Sequence, residues 1–152
     1  MPKGRNVYSG AHASLRVMGE NLDPSDVTKA LQLPPDTTYR RGDPRLSRAR
    51  NGRVVRYSPY SAGMWSMTSK GCVHSGRLET HVAWLLNELE PVANEFRDLL
   101  EDGIHADIFC YSVGSTDRPP AIPNSLRDRA ARLGLIIDID HYDERGEGAE
   151  HA

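Results

Sequence analysis

The chain has 152 residues, a formal net charge of -2 and 38% hydrophobic residues, which suits one domain with a real core and excludes a global electrostatic pull toward nucleic acid. No run approaches the ~20 apolar residues of a membrane span, and the opening MPKGRNVYSG lacks the apolar stretch of a signal peptide. Two cysteines, Cys72 and Cys110, make no disulfide framework, so a reduced, cytoplasmic protein with no membrane association is expected.

In chain order, AHASLRVM (11–18) alternates: Leu15 and Val17 point one way, Ser14, Arg16 and Met18 the other, predicting a half-buried strand. In NLDPSDVTKALQLPP, Asp23 is a helix N-cap, Pro24 suits the first helical position, and Val27, Ala30 and Leu31 form an inner stripe. Pro34 and Pro35 are expected to end this short helix. A short strand is expected over 36–41. The arginine-rich stretch YRRGDPRLSRARNGRVVR (39–56) follows, with Asn51-Gly52 as a turn signal. Strands are predicted over Arg53–Tyr57 and Gly63–Ser69, and a loop over 70–77.

From Leu78 to residue 102, Leu78, Val82, Leu85, Leu86, Leu89, Phe96 and Leu99 recur at helical spacing. Pro91 removes one backbone donor and predicts a kink or two abutting helices. HADIFCYSV (105–113) is a strand with Ala106, Ile108 and Cys110 on one face and His105, Asp107, Phe109 and Tyr111 on the other. A third helix starts at Asn124 or Ser125 and closes at Gly134. LIIDIDHY (135–142) is the last strand, with Ile136, Asp138 and Asp140 opposite Leu135, Ile137 and Ile139.

One-sided strands and amphipathic helices predict an α+β two-layer sandwich, helices on one face of a mostly antiparallel sheet. The order suits a ferredoxin-like core with an added αβ unit, the last crossover parallel. One domain is expected over 8–143, with flexible termini at 1–7 and 144–152.

LDPSDVTKALQLPPDTTYRRGD, MWSMTS, LETHVAWLLNELEP and LGLIIDIDHYD, in that order, resemble the domain-of-unknown-function family numbered 4279, small and mostly bacterial proteins. The resemblance spans about residues 10–143. It implies a domain identity but no activity, cofactor or set of site residues.

Clustered arginines suit phosphate, and Tyr39, Tyr57 and Tyr60 flank them. Pro44 and Asn51-Gly52 favour the simpler reading, an exposed hairpin over 44–56. Arg40, Arg41, Asp43 and Trp65 are the candidate ligand-binding residues. Arg41 and Asp43 also have a structural reading, in which Gly42 takes φ > 0 and Asp43 accepts neighbouring amides.

Cys72, His74, Glu79 and His81 are zinc-type ligands at a spacing that matches no closed site, and His81 reads as a surface histidine. Asp138 and Asp140 share a strand face and could serve a metal-dependent hydrolase, or simply face solvent. No nucleophile motif surrounds Ser66 or Ser69. The expectation is a non-catalytic binding protein, without cofactor or metal, with a bacterial immunity or regulatory partner as the role it suits. A protein partner or second copy is expected on a face formed by Arg16, Phe109, Tyr111, Ile136, Asp138 and Asp140. Nucleotide or nucleic-acid binding through 40–56 is the alternative.

Overall fold

A computed structural model of the protein describes residues 7–100 and 103–145. The expected flexible termini lie, except for Val7, Glu144 and Arg145, outside those residues.

The central strand β1 (Tyr8–Gly19) is held by its alternation. Ala13, Leu15 and Val17 are fully buried on one face; His12, Ser14, Arg16 and Met18 are half-buried on the other. Helix α1 (Pro24–Leu31) begins where Asp23 accepts the Ser25 N–H. It ends at Gln32, which adopts the left-handed conformation (φ 54°) and donates its N–H to the Thr28 carbonyl. The left-handed cap thus stops the helix before Pro34 and Pro35 come into play.

After the short strand β2 (Thr37–Tyr39), strands β3 (Arg45–Arg48) and β4 (Val54–Tyr57) form a separate two-stranded ribbon. All of their residues are exposed, the hairpin expected from the Asn-Gly signal. At its tip the Asn51 side chain accepts the Arg53 N–H at 3.0 Å. At its base Gly42 donates its N–H to the Tyr60 carbonyl, and Tyr60 returns one to Asp43.

Strand β5 (Gly63–Thr68) leads to helix α2 (Leu78–Leu89). A side chain at Gly63 would place its Cβ 2.4 Å from the Leu22 carbonyl oxygen, so only glycine lets β5 pass under the β1–α1 turn. Pro91 breaks the helix as expected: a 3-10 turn (Glu90–Val92) separates α2 from α3 (Ala93–Leu99). Strand β6 (His105–Gly114), helix α4 (Asn124–Arg132) and strand β7 (Ile136–Asp143) complete the chain.

The sheet order is β2-β5-β1-β6-β7. β1 runs antiparallel to β5 and β6, β2 antiparallel to β5, and β7 parallel to β6. This is the expected ferredoxin-like core, extended at one edge by α4 and β7. The helices pack on one side, over Leu15, Val17, Trp65, Ile108 and Cys110. Phe96 carries α3 into that core and is fully buried. Burial of each such side chain stabilises the fold by about 1.5–3 kcal/mol.

Candidate functional site

The other side of the sheet has no helix layer. Cross-strand register sets its side chains in rows. One row is Ile136, Asp107, Arg16, Ser66 and Thr37; the next is Asp138, Phe109, Ser14 and Thr68; a third is Asp140, Tyr111 and His12. All six residues assigned from sequence to a partner-binding face therefore share one surface.

These rows are internally organised. Arg16 grips Asp107 with a fork, Nε to Oδ1 at 2.8 Å and Nη2 to Oδ2 at 2.6 Å. Its guanidinium also lies 4.5 Å from the centre of the Phe109 ring. The bond to Asp107 holds the Arg16 pKa above the ordinary arginine value. His12 stacks on Tyr111 at 4.9 Å, and Tyr111 tilts against Tyr142 at 5.5 Å. Tyr142 donates its hydroxyl to Asp140 Oδ2 at 2.8 Å, which raises the Tyr142 pKa. Burial, with Lys70 and His81 nearby, holds the His12 pKa below the ordinary histidine value. Its Nδ1 is buried and without a hydrogen-bond partner among the described residues. His12 escaped the sequence reading because its only signal is its place in the β1 alternation.

Of the ligand-binding candidates, Asp43 accepts the Arg40 N–H at 2.8 Å, and Gly42 has φ 88°, as the structural reading requires. Arg40 pairs with Asp23 at 3.0 Å and Arg41 with Glu20 at 2.6 Å. A groove of about 290 Å³ beside the α1 N-terminus is lined by Arg40, Asp43, Thr28 and Tyr39. Trp65 presents no surface to it: the ring is fully buried, with Nε1–H donated to Thr28 Oγ1 at 3.0 Å. Trp65 is thus a core residue bracing the groove wall, and Arg41 points away to Glu20, so the four do not converge.

The other arginines lie on the ribbon. Arg45, Arg48, Arg50, Arg53 and Arg56 are exposed, and among the described residues none pairs with a carboxylate. Arg45 lies over the Tyr57 ring. Tyr39 and Tyr60 stack at 3.6 Å, anchoring the ribbon base to the sheet. A groove of about 710 Å³ there is lined by Thr37, Tyr39, Arg45, Tyr60 and Met64.

His81 is not a surface residue. It is 1% exposed, with Nδ1 2.7 Å from Ser69 Oγ and Nε2 2.7 Å from the Ser75 carbonyl oxygen. Ser69 Oγ accepts the Ala13 N–H at 2.9 Å. With the proton on Nε2, every bond is satisfied: Ala13 donates to Ser69, Ser69 to His81, and His81 to Ser75. The set joins β1, the end of β5, α2 and the 70–77 loop. Its sequence signal was present, since position 81 lies on the inner stripe with Leu78, Val82 and Leu85.

His141 repeats the pattern, with Nδ1 3.1 Å from Ser112 Oγ and Nε2 2.8 Å from the Thr116 carbonyl oxygen. Both Ser–His pairs are structural clasps; Ser69 and Ser112 are fully buried. Burial pushes the Cys110 thiol up to about 12, so it stays protonated, while Cys72 is exposed. Glu79 pairs with Arg77. Among the described residues no group of three or more histidine, cysteine or acidic side chains is placed to hold a metal ion. No helix of the described residues is long and apolar enough to cross a membrane.

The molecule is thus an α+β sandwich with one helix-covered and one uncovered sheet face. The chain belongs to the family described as Domain of unknown function (DUF4279), whose model matches residues 8–144. Comparison with curated proteins and with solved structures finds no match.

Proposed function

We propose that this protein is a non-catalytic binding module whose working surface is the uncovered face of the sheet. The observation that carries this reading is the composition and order of that face. Aromatic anchors (Phe109, Tyr111 and Tyr142) sit beside a pre-formed Arg16–Asp107 fork, with Ile136 69% exposed at the edge. Aromatic and arginine side chains held in place in advance lose little entropy on docking and dominate protein interfaces. The charged edge at Asp138 and Asp140 supplies a polar rim. A cytoplasmic role as a bacterial immunity or regulatory partner accords with this reading.

The test is a Phe109→Asp, Ile136→Lys double variant compared with wild type as bait, both shown to be folded by circular dichroism. Proteins held by wild type and released by the variant support the reading. Identical sets on both baits contradict it.

A further inference from the structure

We infer that the occupant of the uncovered face is a second copy of this chain, the β3–β4 ribbon of each copy reaching the β7 edge of the other; this rests on the reading of that face as the binding surface. The face is electrically polarised along its strand order. The ribbon springs from the β2 edge and carries Arg48, Arg50, Arg53 and Arg56, free of carboxylate partners among the described residues. The opposite edge, β7, carries Asp138 and Asp140.

Consider a two-fold axis lying between two such faces and running along β1. It lays one sheet on the other with strand order reversed, so each β2 edge covers a β7 edge. It also keeps strand ends together. The ribbon leaves the sheet beside the Tyr39–Met64 pair, and Ile136 opens β7 at that same end. Basic and acidic edges therefore meet twice, and the patch is self-complementary, as an isologous contact requires.

The side chains match in kind. Arg45 lines the groove against the protein's own sheet, so the ribbon's other side, with Leu46, Arg48, Val54 and Arg56, looks away from it. That side offers two guanidinium groups and two apolar groups; Leu46 is 55% and Val54 49% exposed. β7 offers Ile136, Asp138, Asp140 and Tyr142, two apolar or aromatic groups and two carboxylates. Guanidinium–carboxylate forks would set the register and the apolar groups would bury area.

The size is adequate. A five-stranded face of about 24 Å by about 25 Å gives about 600 Å² per copy, against the ~800 Å² of a standard interface. Two ribbons of about 13 Å supply the remainder. A two-stranded ribbon exposed on both sides is marginal by itself, and a partner surface is what would hold it.

The experiment is light scattering on the full chain, with Arg48→Glu plus Arg56→Glu on the ribbon and Asp138→Arg plus Asp140→Arg on β7. Wild type is expected at twice the chain mass, dissociating as salt is raised. Each variant alone should self-associate at least tenfold more weakly, because like charges then face each other. Mixed in equal amounts, the two variants should restore the doubled mass, since both contacts again join opposite charges. If the β7 pair fails to fold, Asp138→Arg alone serves.

Wild type at single-chain mass throughout, indifference to either variant, or no recovery on mixing would overturn the inference. So would binding of a short single-stranded DNA probe, lost in the ribbon variant but kept in the β7 variant, without any doubled mass. If self-association is absent while Phe109→Asp, Ile136→Lys still releases partners, only the second copy is ruled out and the binding face stands.

Discussion

At the scale of single residues, fully satisfied polar clasps hold the ends of the sheet. The Ser69 hydroxyl both receives the Ala13 N–H and gives its own proton to His81. Ser69→Ala would leave a buried imidazole nitrogen and a buried amide without partners, a loss of about 1–3 kcal/mol. Thermal or urea unfolding reads this directly; an unchanged midpoint would mean that the clasp is not needed. His12 makes the opposite case. Its pKa is lowered in the folded protein from the ordinary value of 6.5, so the unfolded chain binds more protons through that window. Stability therefore rises with pH there and is lost as pH falls below the unfolded value. The melting temperature of wild type should fall on acidification below that value, and less so in His12→Phe. Equal slopes in both proteins would contradict the assignment.

At the scale of elements, the ribbon and the sheet are separable. Every residue of β3 and β4 is exposed, and the base is closed by hydrogen bonds between Gly42, Asp43 and Tyr60. At concentrations too low for self-association, replacing residues 45–57 by a short glycine link should leave the unfolding free energy within about 0.5 kcal/mol of wild type. A fall of several kcal/mol would show that the ribbon supports the core. The elements were largely legible because their periodicities are clean. The β1, β6 and β7 alternations assign faces, Asp23-Pro24 starts α1, Pro91 divides α2 from α3, and Asn51-Gly52 turns the ribbon. What was illegible depended on tertiary placement. Gln32 ends α1 because its backbone can reach Thr28, which no propensity states. His81 falls on the inner stripe of α2, but its partner is not identified until β5 brings Ser69 beneath it. Trp65 stands among the candidate ligand-binding residues, yet register turns it toward Thr28 and the core.

At the scale of the whole molecule, two opposite surfaces differ in composition and burial. The helix-covered face buries the apolar strand residues and stabilises the fold. The uncovered face keeps aromatic rings, a forked ion pair and a gradient of charge accessible. Its parts lie far apart in sequence, Arg16 on β1 with Asp107 and Phe109 on β6 and Asp138 on β7, so only the strand order joins them. Which side meets a partner can be read most directly by site-specific photocrosslinking in the producing cell. A photoreactive aromatic amino acid is placed at Phe109, and at Asp128 on the exposed side of α4 as the comparison. Covalent products from position 109 and none from position 128 are expected. Products from position 128 alone would show that the helix layer is the working face and contradict the assignment.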